Sequence, residues 1–478
     1  MKTLFSQSEN FKSEYSCSIV QIGELTPIED SDFLVKTMIN GFPIVIRKDC
    51  VKEGDIMFYA PIESELNADF CRINNLYDDP ANNDDPNKKG YFNKYGRVRI
   101  VKLRGQESLG FLFTKEEMER FIHKTIVDMP IDTYFDTIDG ILFVKAYVPR
   151  IKENTNEHHT GRGKRKVIKK FNRLIPGEFF FHYDTSQFEN NIKLFNPEDI
   201  VSISVKLHGT SAIIGNLNVL EPKFGNWYKK IFTRLPKWLQ FTKTSNDYIC
   251  SSRKIIINDK VSYVNKQTND KSNSVQNNIL FYNNLFKKYD VLPNGWTIYG
   301  EIIGFFQGTD KPIQKLDKPF DYKCLPGTNK LMIYRITNTL SNGENVEWNV
   351  DEVYDWTINT MELYPELKDY LHPIDILYHG KLKDLYPDLP LDDHWHENLL
   401  ERMKNEKKWF MEMNEPLCKN KVPREGIVIR KDNDKLREAF KLKTMKYRFK
   451  ECKSIDEGNF DEEMVETYNV SCAESPLL

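Results

Sequence analysis

The stretch Val205-Lys206-Leu207-His208-Gly209-Thr210-Ser211 places a lysine three residues before a glycine, with two hydroxyl side chains directly after it. An ordinary lysine has a pKa of about 10.4, so only about one amine in 10³ is neutral and nucleophilic at pH 7. Burial beside other cations removes much of that deficit. A lysine near a glycine is otherwise typical of a solvated turn, so the rest of the chain decides what Lys206 does.

An ordered series of polar residues follows this stretch along the chain. The series comprises Ser252-Arg253, Tyr299-Gly300-Glu301, Ile333-Tyr334, Glu425-Gly426-Ile427-Val428-Ile429-Arg430 and Lys441-Leu442-Lys443. Glu301 and Arg253 adjoin apolar runs that predict buried strands, and a charge at the mouth of such strands needs a partner. Lys441 and Lys443 lie two apart on a predicted strand, so both point to one face and can supply positive potential beside Lys206.

Together with the lysine stretch, this series resembles motifs I, Ia, III, IIIa, IV and V of the ATP-dependent polynucleotide ligases, over about residues 172–450. The resemblance implies that Lys206 attacks the α-phosphorus of ATP and releases pyrophosphate. AMP then passes to a 5′-phosphate end, and a 3′-hydroxyl displaces AMP to seal the strand. Because such chemistry depends on positioning and charge neutralisation, a divalent metal, Mg²⁺ or Mn²⁺, is expected near Glu301 and Glu425.

The resemblance also implies roles for single residues. The expected catalytic residues are Lys206, Glu425, Lys441 and Lys443, and the expected nucleotide-binding residues are Val205, Arg253, Glu301, Tyr334, Ile427 and His208. Arg253 and Glu301 would hold the ribose and the end of the acceptor strand. Tyr334 would stack on adenine with Ile427 as the opposite wall of the slot, although Tyr334 also fits an ordinary core position.

One residue departs from the usual ligase motif K-x-D-G. The third position here is His208, whose neutral imidazole offers one acceptor nitrogen and no negative charge. The sequence K-x-H-G-T-S is similar to the phage-type RNA ligases, which favours a subfamily variant, and a structural turn residue is the alternative. If His208 replaces an acidic contact to a hydrated metal, His208→Asp is expected to stay active and to shift metal preference towards Mg²⁺.

Residues 1–148 predict a separate domain, because short apolar segments between Gly, Pro and Asn-rich turns are typical of a small β-barrel. The stretch 97–105 largely alternates basic and apolar residues. Its basic side chains, Arg97, Arg99, Lys102 and Arg104, are expected to contact a phosphate backbone, although an ordinary half-buried strand fits nearly as well. The continuation 106–110 resembles the N-terminal OB-fold module of one RNA ligase branch, whose nick-sealing members join RNA 3′-hydroxyl ends within a duplex.

The expected fold class is α+β, with an N-terminal OB-like β-barrel and a mixed α/β nucleotidyltransferase (ATP-grasp-like ligase) domain built on antiparallel sheets. The expected segments are the barrel at 1–148, a basic linker at 149–171, the adenylyltransferase domain at 172–452 with insertions at 212–248 and 351–415, and an acidic tail at 453–478. Helices are expected at 363–370 and 399–413. Few residues follow motif V, whereas DNA ligases and capping guanylyltransferases carry an OB domain there.

Length and composition bound the class of protein. A chain of 478 residues predicts two domains, and 40% hydrophobic residues with a net charge of −2 are typical of a soluble globular protein. Neither a long apolar run nor a signal sequence is present, so we expect no membrane partner and a cytoplasmic location. The eight scattered cysteines contain no C-x-x-C pair and are expected to be free thiols.

The sequence therefore indicates an ATP-dependent RNA ligase, acting as a monomer on RNA with 3′-OH and 5′-phosphate ends, in a nicked duplex. Two alternatives stay open. The first is a DNA ligase or capping-type transferase that uses the same lysine. The second is a non-catalytic protein that binds nucleic-acid ends and retains only the fold.

Overall fold

The computed structural model describes residues 4–29, 31–148, 173–182, 185–224, 235, 237–257, 271–406, 412–432 and 438–459. The basic linker expected at 149–171 and most of the acidic tail lie outside these residues. Among the described residues, no helix combines the length and apolarity that a membrane crossing requires. The described cysteines are free thiols.

The chain forms two compact units. The first consists of Met1–Val148, Ser186–Phe195 and Leu389–Met403, and the second of Pro149–Thr185, Asn196–Asp388 and Lys404–Leu478. The segments 186–195 and 389–403, which the sequence assigns to the catalytic domain, thus group with the N-terminal residues.

The N-terminal unit is built from short antiparallel strands. They are β1 (Phe5–Ser6), β2 (Cys17–Gln21), β3 (Thr26–Ile28), β4 (Ser31–Ile39), β5 (Phe42–Arg47), β6 (Ile56–Ala60), β7 (Ser64–Leu66), β8 (Ile100–Leu103), β9 (Gln106–Leu109), β10 (Phe111–Phe113), β11 (Tyr134–Phe135), β12 (Thr137–Ile138), β13 (Ile141–Leu142), β14 (Val144–Ala146) and β15 (Ser186–Gln187). The largest of these sheets has the order β10-β6-β2-β11, and β3-β4-β5 forms another. The helices are α1 (Ala68–Ile73), α2 (Lys115–Ile122), α3 (Phe188–Asn191) and, later in the chain, α7 (Trp395–Asn405).

Aromatic packing fills the interior of this unit. Phe58, Phe70, Phe113, Phe135 and Phe143 are all buried, with neighbouring ring centroids 5.0–6.2 Å apart. Most of these rings meet tilted or edge to face, which is the arrangement that the ring quadrupole favours. Strands β6, β10 and β11 supply Phe58, Phe113 and Phe135, and helix α1 adds Phe70, so strands and helix share one core.

The basic strand expected to contact RNA divides between the interior and the surface. Arg97 is fully buried, with its guanidinium 2.7 Å from Glu63 and 4.8 Å from the ring centre of Tyr147. The prediction of an RNA contact for Arg97 is therefore wrong, because a guanidinium enclosed and paired in this way has no face for a phosphate. Arg99 is partly buried and donates to the Tyr91 carbonyl at 2.9 Å.

Lys102 and Arg104 remain exposed, at the tip of the β8–β9 hairpin. The turn consists of Arg104 and Gly105, with φ of 47° and 77°. Positive φ at both positions is the two-residue turn that matches the twist of antiparallel strands. The hairpin thus presents two cations to solvent.

The second unit contains two antiparallel sheets. Its strands are β16 (Ile200–Lys206), β17 (Thr210–Pro222), β18 (Thr242–Ser251), β19 (Ile256–Ile257), β20 (Trp296–Gly304), β21 (Asn329–Thr339), β22 (Asn345–Glu347), β23 (Leu371–Pro373), β24 (Ile376–Lys381), β25 (Gly426–Lys431) and β26 (Ala439–Lys443). One sheet has the order β19-β18-β17-β20-β21-β22, with β23 parallel to β21. The other contains β26-β25-β16-β24 in that order.

Helices cover these sheets. They are α4 (Lys271–Tyr289), α5 (Val350–Leu363), α6 (Leu382–Leu385) and α8 (Met445–Asp456). Helix α4 buries Val275, Ile279, Tyr282 and Phe286. This spacing of four, three and four residues places one apolar stripe against the first sheet.

The two ends of the expected insertion at 212–248 lie in β17 and β18, which pair from Ile213↔Ser251 to Pro222↔Thr242, with 223–241 connecting them. One sequence-based expectation about local structure needs correction. The helix expected at 363–370 is wrong. Helix α5 ends at Leu363, and Pro365–Leu367 forms a 3₁₀ turn, because proline cannot continue a helix and disfavours helical backbone in the residue before it.

Candidate active site

Lys206 lies at the point where the chain crosses from one sheet of the second unit to the other. It is the last residue of β16, and after three residues the chain enters β17 of the other sheet. An added Cβ at Gly209 would lie 2.4 Å from the Ile302 carbonyl oxygen, so the tight crossing requires glycine there. Register then places Ser211 opposite Glu301 and Lys206 opposite Gly426.

Three side chains fix the backbone of this turn, residues 207–209. The Gly209 N–H donates to Glu301 Oε1 at 3.0 Å, and Gln314 Nε2 donates to the Gly209 carbonyl at 2.8 Å. The His208 N–H donates to Tyr322 Oη at 2.7 Å. The turn is therefore held before any ligand binds, which is the condition for precise placement of a nucleophile.

The Lys206 amine forms an ion pair with a buried carboxylate. Its Nζ is 2.8 Å from Glu425 Oε1, and Lys443 Nζ is 3.5 Å from the same oxygen. Burial alone would raise the pKa of Glu425, but the ammonium groups of Lys206 and Lys443 outweigh it and lower the pKa to about 2. Glu425 is therefore ionised at neutral pH and holds both lysines near the turn.

Lys443 is shared between two carboxylates. It lies 2.9 Å from Glu451 as well as 3.5 Å from Glu425. Burial would lower the pKa of Lys443, but these two carboxylates raise it well above its usual value. Lys443 is thus a permanent cation that shares Glu425 Oε1 with Lys206. Lys441 is opposite Val428 in the ladder, on the same face as a cavity described next.

A cavity opens between the two sheets beside Lys206. The residues that line it are His182, Thr185, Ser202, Ser204, Val205, Lys206, Leu207, Glu301, Tyr334, Val350, Ile374, Ile376, Val428, Arg430 and Ala439. The side chains of Lys206 and Glu301 mark one end. The other end is formed by a cross-strand row of Ser202, Arg430 and Ala439 on β16, β25 and β26. Ser202 is four residues before Lys206 on β16.

Tyr334 lies in the wall of this cavity, with the His182 ring 5.6 Å away in an edge-to-face arrangement. The prediction that Ile427 forms the opposite wall is wrong. Ile427 is fully buried and pairs with Val205 and Leu442, and the adjacent Val428 lines the cavity instead. Side chains alternate between the two faces of a strand, so a displacement of one residue exchanges the faces.

His208 is buried in an aromatic enclosure and does not line the cavity. The rings of Phe320 and Tyr447 stand edge to face with it at 4.9 and 5.3 Å, and Tyr447 Oη is 3.1 Å from Nδ1. Burial lowers the pKa of His208, so the ring is neutral at pH 7. The expectation that His208 contacts the nucleotide or its metal is therefore corrected. Its Nδ1 lies 3.7 Å from Glu425 Oε2.

Arg253 lies two residues beyond the end of β18, partly buried, and is not among the residues that line the cavity. The sequence also left several site residues without a role. No motif contains these residues, which are Gln314, Tyr322, Tyr447 and Glu451. Their contacts with the turn and with Lys443 depend on the folded chain alone.

Arg430 closes the far end of the cavity and belongs to a buried charge cluster. Its Nη1 is 3.2 Å from Glu347 Oε1, and Arg335 Nε is 2.9 Å from Glu347 Oε2. The Arg335 guanidinium also lies 4.5 Å from the ring centre of Tyr299. The motif IV stretch contains Arg430, but only the fold shows that it points into the cavity.

The carboxylates near Lys206 fit a hydrated divalent ion. Glu301 lines the cavity, and Glu425 Oε2 is buried with no hydrogen-bond partner. In the described part of the chain, no group of three or more His, Cys, Asp or Glu side chains could enclose a metal. Mg²⁺ commonly binds through one or two carboxylates and completes its shell with water and substrate phosphates, and this pair suits such binding.

Comparison with known proteins shows the family of the chain. A family model described as RNA ligase matches residues 199–448, a little over half of the chain, so the protein belongs to the RNA ligase family. A second model, described as an OB-fold domain, matches residues 16–115. These matches confirm the expected α+β class with an N-terminal OB-fold domain. No curated protein sequence matches the chain.

Solved structures of a Naegleria gruberi RNA ligase share the fold. A mutant of that enzyme with ATP and Mn aligns with a TM-score of 0.52 at 18% identity, covering 91% of this chain and 98% of that chain. The same enzyme with PPi aligns with a TM-score of 0.51 at 17% identity, covering 92% and 99%. Another mutant, with AMP and Mn, gives a TM-score of 0.51 at 17% identity, covering 92% and 99%.

Proposed function

We propose that the protein is an ATP-dependent RNA ligase that joins 3′-hydroxyl and 5′-phosphate RNA ends through a lysyl-AMP intermediate on Lys206. The observation that carries this proposal is the Lys206 amine, held 2.8 Å from Glu425 at one end of a cavity in a member of the RNA ligase family. The Naegleria structures with ATP, AMP and PPi support ATP as the nucleotide. The K-x-H-G-T-S sequence favours the phage-type subfamily.

In the first step, Lys206 Nζ forms a bond to the α-phosphorus, and the bond from that phosphorus to the bridging oxygen breaks, so pyrophosphate leaves. The Lys206 amine must lose its proton before it attacks, because only the neutral amine is a nucleophile. A divalent ion near Glu301 and Glu425 would neutralise the phosphates and compete for Glu425. Lys443 and Lys441 add positive potential on the same sheet face.

The cavity suits a nucleoside on its other side. Tyr334 offers an aromatic face in the wall, and Ser202, Ser204 and Arg430 bring hydrogen-bonding groups along β16 and β25. A stacked base with a few convergent polar groups is the usual pattern of a nucleotide pocket. We assign the adenine to the slot beside Tyr334 and Val428, and the phosphates to the end with Lys206.

The acceptor is proposed to be RNA in a nicked duplex. The OB-fold domain supports this, because such modules commonly bind oligonucleotides. Lys102 and Arg104 at the tip of the β8–β9 hairpin are the cations of that unit that we assign to phosphate contacts.

Incubation of the full chain with α-labelled ATP and, separately, α-labelled GTP tests the proposal. We expect label from ATP to stay on the protein after denaturation and to pass to a 5′-phosphorylated nicked RNA duplex when it is added. Label from GTP alone would favour a capping-type transferase. Labelling from ATP with transfer to nicked DNA alone would favour a DNA ligase, and no labelling would favour a non-catalytic end-binding protein.

A further inference from the structure

The segment 305–328 connects β20 to β21. The buried side of this segment contacts residues 207–209, here called the motif I turn. Gln314 and Tyr322 are bonded to the backbone of Gly209 and His208, and the Phe320 ring packs edge to face on the His208 ring at 4.9 Å. All three side chains are buried. The placement of this segment is therefore tied to the placement of Lys206.

The outer side of the same segment carries lysines. Lys315, Lys318 and Lys323 are exposed, and Lys419 and Lys421 on the segment before β25 are exposed as well. These five residues are here called the lysine surface. Buried and exposed residues alternate closely along 313–324, so one short segment holds the nucleophile turn on one side and presents cations on the other.

Hydrogen bonds between side chains and backbone hold the lysine surface together. Asp321 Oδ1 accepts the N–H groups of Lys323 at 2.8 Å and Lys419 at 2.9 Å, and Oδ2 accepts the Asn420 N–H at 3.0 Å. Asn420 Nδ2 donates to the Pro319 carbonyl at 2.9 Å, and Pro319 pairs with Lys315 in an isolated antiparallel β-bridge. The two segments thus form one fixed platform, and the lysine side chains extend from it.

Three of the neighbouring carboxylates have other partners. Asp321 uses both oxygens for the platform, and although burial raises its pKa, the backbone N–H donors outweigh this and lower it. Asp317 pairs with Lys450 at 2.6 Å, and Glu415 pairs with Arg424 at 2.8 Å in the interior. A cationic area therefore persists on a protein whose net charge is −2.

We propose that the lysine surface binds the phosphodiester backbone of RNA, next to the end that reacts at Lys206. This inference rests on the proposed function. Lysine is a compact point charge on a flexible stem, which suits contacts to successive phosphates independent of sequence. The same segment positions the motif I turn, so it fixes the position of bound RNA relative to Lys206.

A triple variant, Lys323→Ala with Lys419→Ala and Lys421→Ala, tests the proposal in the full chain. Alanine keeps the backbone N–H groups that Asp321 accepts, so the platform persists. The matched control is Lys243→Ala with Lys288→Ala and Lys368→Ala, three exposed lysines elsewhere in the second unit. Binding of a nicked RNA duplex is measured across a salt series, together with labelling by α-labelled ATP.

For the triple variant we expect the magnitude of the slope of log affinity against log salt to fall by about 2–3, since each phosphate contact that is lost lowers this magnitude by about 0.7–0.9. Labelling should match the wild type, and the control should keep the wild-type slope. A triple variant with Lys→Arg at the same three positions should restore the slope. An unchanged slope in the alanine variant, or an equal reduction in the control, would overturn the proposal.

The proposed function can fail separately. If the wild type takes no label from ATP, the ligase proposal falls, whereas the salt slopes still decide whether this surface binds RNA. If the alanine variant binds RNA normally but no longer binds an acidic protein partner, the surface belongs to a protein interface and the RNA inference is wrong.

Discussion

The motif I region of the second unit and the strand 97–104 of the N-terminal unit both carry cations that the sequence assigns to phosphate chemistry. In the second unit, Lys206 and Lys443 converge on the buried Glu425 beside a cavity. In the strand 97–104, Arg97 is buried against Glu63, Arg99 is partly buried, and Lys102 and Arg104 face solvent.

The difference lies in the kind of sequence signal. An alternation of basic and apolar residues predicts a strand with two faces, but it does not say which face packs against the core. An ordered set of motifs with distinct residue types restricts the fold, and through the fold it restricts the distances between side chains. The predictions below test the two regions against each other.

The largest effect is expected from Glu425→Gln. The substitution keeps the shape of the side chain and removes the charge that holds Lys206 and Lys443. Adduct formation from labelled ATP should fall on the order of 10²- to 10³-fold, the usual loss when one preorganised polar group leaves an active site. Glu451→Gln is the matched control, because it removes the second carboxylate of Lys443 and leaves the pair of Glu425 with Lys206 in place. An equal loss in both variants would show that Glu425 has no special role.

The next effect concerns His208→Asp. By comparison with the ligase motif K-x-D-G, the sequence predicts that this variant stays active and prefers Mg²⁺. The buried position of His208 predicts instead that the variant loses activity. An aspartate enclosed by Phe320 and Tyr447 would lie close to Glu425, and two neighbouring buried carboxylates cannot both stay ionised at low cost.

Labelling of the His208→Asp variant should therefore fall about tenfold or more with either Mg²⁺ or Mn²⁺. His208→Asn adds no charge and can still bond to Tyr447, so it should keep more activity. Full activity of the aspartate variant with a shift towards Mg²⁺ would restore the sequence-based interpretation.

The sequence predicted the fold class and the family, because six motifs in order define one arrangement of strands. It also predicted that Lys206, Glu425 and Lys443 come together. It did not predict the wall of the cavity, where Val428 takes the place assigned to Ile427, because one residue of register decides the face. Gln314, Tyr322 and Tyr447 were missed since their contacts with the motif I turn join residues about 105–240 apart in the chain.

A smaller effect is expected from Arg97→Met, which tests the structural role of that residue. The variant removes the Arg97 guanidinium from Glu63, which is 30% exposed and can be rehydrated. We expect a loss of about 1–3 kcal/mol in the free energy of unfolding of the N-terminal unit, as for a buried polar group that loses its partner. Thermal unfolding measures this loss, while labelling by ATP should stay at the wild-type level. If the variant kept the wild-type stability but bound RNA more weakly, Arg97 would have to contact RNA after all.

The smallest effect on stability is expected from Lys102→Ala with Arg104→Ala. Both side chains are exposed at the hairpin tip, so the free energy of unfolding should change by less than about 0.5 kcal/mol. The salt slope of RNA binding should fall by about 1–2 if both contact phosphates. An unchanged slope would leave the OB-fold domain without the phosphate contacts assigned to it.

The central claim is that Lys206 carries the AMP. Lys206→Arg keeps a cation beside Glu425 but cannot act as a nucleophile, because guanidinium stays protonated. The most direct measurement compares the wild type, Lys206→Arg and Lys206→Ala after incubation with α-labelled ATP, with the labelled peptide of the wild type mapped. We expect label on the peptide that contains Lys206 in the wild type and none on either variant. A normal amount of adduct on Lys206→Arg, or label mapped to another lysine, would contradict it.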